Sequence, residues 1–151
     1  MPETEITITL SQEAEEPFKE FLHQNIRRFN DAHSPHFLKV RKPRETTPLH
    51  ILVKGKDGEV LGGLTGSTYW GWLDIDDFFL PDQLRGQGIG EKILRLAEST
   101  AIRRGCTAAF LTTYAFQARG FYEKQGYRVA GTLEGYPPGS SYYWMRKDFR
   151  R

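Results

Sequence analysis

The stretch Leu84-Arg85-Gly86-Gln87-Gly88-Ile89-Gly90 sets glycine at every second position immediately before a segment of helical periodicity. Glycine reaches backbone conformations closed to other residues and leaves neighbouring N–H groups uncovered, and the start of a helix carries partial positive charge. A turn of this kind binds phosphate through backbone amides. The interval from Gly86 to Lys92 lacks the spacing and the Lys-Ser/Thr ending of a P-loop, and Glu91 stands where a dinucleotide fingerprint needs glycine. The turn therefore suits a pyrophosphate of another kind. Its other reading is a tight strand-to-helix turn without a ligand.

The rest of the chain is expected to form one domain over residues 1–151, a length that buries roughly two-thirds of the unfolded surface. Glu5 to Leu10 alternates apolar and polar residues and reads as a first strand. Pro17 suits the first turn of a helix whose apolar face is Phe18, Phe21, Leu22, Ile26 and Phe29. Asn30 to Pro48 is polar and rich in His and Pro, and reads as an exposed loop with room for a short helix. His50 to Lys54 and Glu59 to Thr68 flank the hairpin signal Lys56-Asp57-Gly58, and Trp70-Gly71 offers a second reversal before Trp72 to Leu80. These three strands make an antiparallel meander. Ile89, Ile93, Leu96, Ala97, Thr100 and Ala101 line one face of the helix after the glycine turn, with Gly105 as its left-handed cap.

Thr107 to Thr113 is the next strand. A helix separates it from Trp72 to Leu80, so the two become parallel neighbours with the glycine turn above their carboxyl ends, where ligands bind. Ala115 to Gln125 reads as a helix stopped by Gly126, and Tyr127 to Leu133 and Ser141 to Phe149 as closing strands. The order is β-α-β-β-β-α-β-α-β-β.

A formal charge of +2, with Lys and Arg scattered, does not point to nucleic acid. No apolar run has the length of a membrane span. The lone Cys106 cannot form an internal disulfide and the amino terminus lacks a signal-like pattern, so a reducing, cytoplasmic setting is expected.

Arg85-Gly86-Gln87-Gly88-Ile89-Gly90 resembles the acetyl-CoA pyrophosphate motif of the GNAT superfamily of N-acetyltransferases, and Phe121-Tyr122-Glu123-Lys124-Gln125-Gly126-Tyr127 resembles its later helix motif. Thr113 to Ala118 is similar to a bacterial subgroup in which Phe-Gln-Ala precedes the Phe-Tyr pair. The resemblance runs from about Leu61 to Phe149 and is less specific before that. It implies an α/β (α+β) fold with a mixed, mostly antiparallel central sheet, a splayed parallel pair and flanking helices. It also implies transfer of an acetyl group from acetyl-CoA to a primary amine, by direct attack in a ternary complex and without a metal. The backbone of Gln87, Gly88, Gly90 and Glu91, opened by Gly86, would cradle the pyrophosphate. Arg85 either adds charge or is simply solvated. Unpaired backbone near Phe78 and Leu80 would take the pantetheine amides and the thioester carbonyl. Tyr122 aligns with the tyrosine that faces the CoA sulfur; its plain reading is a core aromatic.

Asp74, Asp76 and Asp77 stand in a strand otherwise built from Trp, Leu, Ile and Phe, and Asp is depleted in strands. Asp74 and Asp76 share a face by alternation and fall where some family members carry a general base. The alternatives are solvent exposure, a strand bulge, or attraction of a cationic substrate. Ala115 replaces an Asn that many members use on the cofactor, so Gln117 or the backbone takes that contact. His33 and His36 have a superficially metal-like spacing without an accompanying Cys or carboxylate motif, and suit substrate contact or a solvated loop. Tyr69, Trp70, Trp72 and Tyr142-Tyr143 either wall the substrate or pack, and Cys106 reads as a small buried residue. The acceptor would be a small-molecule or peptide amine and the protein a monomer or homodimer. A different class, a non-catalytic acyl-CoA-binding sensor or regulatory module, would keep the cofactor turn without turnover.

Overall fold

The computed structural model describes residues 4–150. They divide into two compact units, one ending at Leu38 and one beginning at Lys39. The first carries α1 (Glu16–His33), with Pro17 in its first turn as expected. The helix stops because Ser34 precedes Pro35, whose ring disfavours helical geometry in the residue before it; Ser34 is extended, and its N–H closes the last turn on the Asn30 carbonyl at 2.8 Å. The strand expected over Glu5 to Leu10 does not form. Alternation alone cannot hold a strand, since its backbone groups must be paired by a neighbour.

The segment read as a loop from Asn30 to Pro48 is largely structured. After α1 comes α2 (Pro35–Val40), and β1 (Thr47–Lys54) already includes Pro48. Pairing decides this start, Thr47 standing opposite Thr68 in β2 (Val60–Tyr69). As an outer strand, β1 tolerates a residue without an N–H. Trp70 and Gly71, both at positive φ, make the tight reversal into β3 (Trp72–Phe79).

A 3-10 turn over Asp82–Leu84 leads to α3 (Ile89–Arg103), followed by β4 (Ala108–Tyr114), α4 (Arg119–Lys124), β5 (Arg128–Glu134) and β6 (Ser141–Asp148). The strands form one sheet in the order β1-β2-β3-β4-β6-β5. Every pairing is antiparallel except β3 with β4. This is the mixed, mostly antiparallel sheet with one parallel pair expected from the sequence.

Gly105 ends α3 as expected. It sits at φ +90 while its N–H reaches Ile102 and that of Cys106 reaches the Ala101 carbonyl. The buried stripe of α3 is Ile93, Leu94, Ala97 and Ala101, packed with Leu64, Leu73, Ile75, Leu111 and Met145 of the sheet. Leu96, expected inside, is half exposed. Leu94 takes the inward place because the sheet meets a slightly rotated face.

The helix expected over Ala115 to Gln125 is confined to Arg119–Lys124. Residues 115–118 form a turn instead, because the Gln117 side-chain oxygen accepts the Tyr114 N–H at 2.9 Å and the Thr113 hydroxyl at 3.2 Å. A local side-chain bond has outcompeted the helix ladder.

Candidate active site

The parallel ladder between β3 and β4 is short. It joins Trp72 to Ala108, Leu73 to Ala109 and Asp74 to Phe110, and then stops. From Ile75 onward β3 keeps β2 on one side only, so the other edge of its backbone opens towards the far end of β4. The parting coincides with an irregularity in β3, where Thr65 pairs with Asp77 but Gly66 pairs with Ile75, leaving Asp76 as the extra residue. The Asp77 N–H is held by the Thr65 hydroxyl at 3.2 Å. Before the bulge Leu73 and Ile75 are buried; beyond it the inward phase passes to Phe78 and Leu80. One extra residue thus turns the strand over at the point where it leaves its neighbour.

A cavity of about 850 Å³ lies in this opening. At one end it is lined by Leu80, Arg85, Gly86, Gly88, Gly90 and Glu91, and along its length by Asp76, Asp77, Phe78, Gln117, Phe121 and Tyr122. Asp74 and Gln87 lie outside the lining. Tyr114, Phe116 and Tyr142 do line it, and the aromatic wall thus differs from the one considered from sequence: only Tyr142 of that set is present.

At the glycine turn Gly86 has φ +73 and Gly88 φ +76, values that side-chain-bearing residues rarely adopt, and no atom lies within 4 Å of where a Cβ on either would stand. Both glycines also line the cavity. Gly88 caps α3, whose first-turn N–H groups have no partner inside the helix, so the turn offers amide donors at the positive end of a helix. The residues present therefore fit a pyrophosphate.

Arg85 braces the turn: its Nε donates to the Leu80 carbonyl at 2.8 Å and its guanidinium pairs with Asp82 at 3.1 Å. Glu91 pairs with Arg95 one turn on, and the Gln87 side-chain amide donates to the Gln83 carbonyl at 2.8 Å. Gln117 spends its oxygen on the β4–α4 turn already described.

Tyr122 is buried between Phe78, Phe121 and Tyr127, with ring centroids at 6.5, 5.3 and 5.9 Å. Burial pushes its phenol up to about 12, so it is a neutral hydrogen-bond donor at physiological pH. The carboxyl of Asp76 is held above the ordinary carboxylate value, chiefly by desolvation and then by Asp74 and Asp77, with His50 opposing. Its side chain nevertheless remains exposed at the bulge, open to water. Asp74 is engaged elsewhere, accepting the Tyr69 hydroxyl at 2.8 Å; burial and this carboxylate together push Tyr69 up to about 12.

His33 donates to the Phe29 carbonyl at 2.8 Å and stacks on the Phe29 ring. Among the described residues no group of three or more His, Cys, Asp or Glu is arranged to hold a metal ion, and no helix is long and apolar enough to cross a membrane. Cys106 is buried, and burial raises its thiol.

Sequence reasoning also missed Glu98, Tyr127 and Lys147. Glu98 accepts the Tyr127 hydroxyl at 2.8 Å and pairs with Lys147 at 2.7 Å, tying α3 to β6 behind Tyr122. The available signal was a carboxylate one residue beyond Ala97, on the inward side of α3.

Comparison with known proteins follows the same outline. The family model described as the acetyltransferase (GNAT) family matches residues 9–127. The blasticidin-S acetyltransferase of Streptomyces morookaense is 35% identical over 125 residues, covering 79% of this chain and 92% of the relative. An acetyltransferase of Agrobacterium fabrum is 40% identical over 101 residues, covering 67% of this chain and 74% of its own. The crystal structure of an acetyltransferase from Bacillus cereus superposes with a TM-score of 0.77 at 26% identity, covering 93% of this chain and 98% of that one.

Proposed function

The chain belongs to the GNAT acetyltransferase family, and on that premise we propose that it carries the acetyl group of acetyl-CoA to a primary amine by direct attack in a ternary complex. The observation that carries this reading is that the glycine turn, the unpaired edge of β3 and the buried Tyr122 border one cavity. The amides around Gly88, Gly90 and Glu91 bind the pyrophosphate, and Gly86 and Gly88 leave room for it. The free edge of β3 near Phe78 and Leu80 receives the pantetheine arm as an added strand would be received, and an N–H near Phe78 stabilises the oxyanion. Acetyl-CoA supplies a thioester activated for acyl transfer.

The chain's own groups manage two protons. As the amine nitrogen bonds to the acetyl carbon, it gives up its excess proton to Asp76, directly or through the water that the exposed bulge admits. As the carbon–sulfur bond breaks, the phenol of Tyr122 donates to the departing sulfur; its raised pKa keeps that proton in place until it is needed. A relative that acts on blasticidin S supports an antibiotic-type amine as the acceptor class.

Calorimetric titration with acetyl-CoA and CoA, together with a thiol-release screen across amine classes, tests the reading. Acetyl-CoA is expected to bind, and thiol to appear only with an amine acceptor. Gly88→Trp is expected to abolish binding while the far-ultraviolet circular dichroism is retained, since its side chain would enter the space where nothing now stands. Binding without thiol release from any amine would instead identify an acyl-CoA-binding module. Failure to bind acetyl-CoA would overturn both.

A further inference from the structure

The end of β4 and the facing part of β6 carry a set of aromatic rings that the acetyl-transfer machinery does not use. Tyr114 stands opposite Tyr142, and Thr112 opposite Trp144, so these four residues share one face of the sheet. Leu111, Thr113 and Met145 point the other way and are buried. The rings form a connected layer: Tyr114 stacks on Phe116 at 5.2 Å, lies 4.8 Å from Tyr142, and Tyr142 meets Trp144 edge-on at 5.1 Å. Tyr136 closes the group, 5.6 Å from Tyr142.

Neighbouring rings hold one another in place, yet much of their surface stays in water. Phe116 is 68% exposed, Tyr136 50% and Trp144 42%. Clustered exposed apolar surface of this kind marks a binding site more often than scattered single residues do. Its position narrows the occupant, because Tyr114, Phe116 and Tyr142 line the same cavity as Asp76, Asp77 and Tyr122.

We propose that this aromatic layer is the acceptor subsite, and that the acceptor amine is carried on a flat, unsaturated ring system. The proposal rests on the amine-acetyltransferase reading above. A flat π-system gains from offset or edge-on contact with rings at these separations, whereas a saturated ring of equal size gains only the area it buries. The carboxylates of Asp76 and Asp77 supply charge complementary to the incoming ammonium, and the aromatic faces add cation–π attraction. The ring thus docks on Tyr114, Phe116 and Tyr142 while the nitrogen is drawn towards the bulge of β3.

Steady-state thiol release by the full chain tests this with matched pairs: 2-phenylethylamine against 2-cyclohexylethylamine, and benzylamine against cyclohexylmethylamine, compared per unit of free base. In each pair the flat amine is expected to show a kcat/KM about tenfold higher, the size of one to two favourable aromatic contacts. Tyr142→Leu and Phe116→Leu are each expected to bring the ratio towards one. Release with a ratio near one in the parent protein would overturn the subsite while leaving the transferase reading intact. So would a raised KM for acetyl-CoA in either variant with an unchanged amine ratio, which would assign the rings to the adenine of the donor. Absence of thiol release from every amine would overturn the transferase reading itself, and the subsite with it.

Discussion

In the proposed reaction Tyr122 is the proton donor and Asp76 the proton acceptor, and their surroundings differ in ways that bear on those roles. Tyr122 sits among aromatic rings with burial as the cause of its raised pKa, so Tyr122→Phe removes the hydroxyl while keeping the packing. In the proposed reaction it is expected to lower kcat by about 100-fold or more, with the calorimetric affinity for acetyl-CoA retained, since positioned acid catalysis contributes on that scale. For Asp76 the sign is opposite to that of a salt-bridged carboxylate. Its folded pKa is raised, so the charged form is disfavoured in the native state, and stability falls as pH rises from the unfolded pKa through the folded one. In the proposed role Asp76 accepts a proton only when ionised. The acid limb of kcat/KM against pH is therefore expected above the usual aspartate range, and Asp76→Asn is expected to lower the rate and abolish that limb without lowering the thermal midpoint at neutral pH. An acid limb unchanged in the variant would remove Asp76 from the role.

Among the elements, β3 organises the site. Its bulge lets the strand part from β4, shifts the inward phase from Ile75 to Phe78, and leaves Asp76 at the opening. The facing strand is built for this approach: a Cβ on Gly66 would lie 2.5 Å from the Asp74 carbonyl oxygen, against backbone that cannot swing aside. Gly66→Ala is expected to lower stability by about 1–3 kcal/mol, as overpacking does, seen as a reduced urea midpoint. It is also expected to weaken acetyl-CoA binding by disturbing the edge of β3, and an unchanged midpoint would show that the close approach is dispensable. The glycine turn was readable from spacing alone because its effect is local. The bulge was not: three aspartates in an apolar strand signalled an irregularity, but which residue is extra depends on how Thr65 and Gly66 pair with it.

At the scale of the whole molecule, α3 is locked to the sheet by apolar packing and by one buried ionic group. Glu98, 8% exposed, joins Tyr127 and Lys147, and these bonds stand behind Tyr122. Glu98→Ala leaves Lys147 unpaired and the Tyr127 hydroxyl without its acceptor, so a loss of about 3 kcal/mol in denaturant unfolding is expected; a loss below about 1 kcal/mol would mean the pair is surface-like. The amino-acid sequence by itself determined what rests on short-range rules. These are the glycine turn before α3, the β1–β2–β3 meander with its tight reversal at Trp70-Gly71, the cap at Gly105, and the parallel partnership of β3 with β4. The family match begins at residue 9, well before the motifs that carry the resemblance. Tertiary structure alone decided the rest. Glu5 to Leu10 has the pattern of a strand but is paired by no strand among the described residues, and residues 115–118 have the pattern of a helix but a glutamine that bonds back on the chain. Asp74 and Asp76 are two residues apart, yet one is engaged by Tyr69 and the other lines the cavity. Period and spacing describe a chain's neighbours in sequence, whereas pairing, bulging and burial depend on which distant residues arrive beside them.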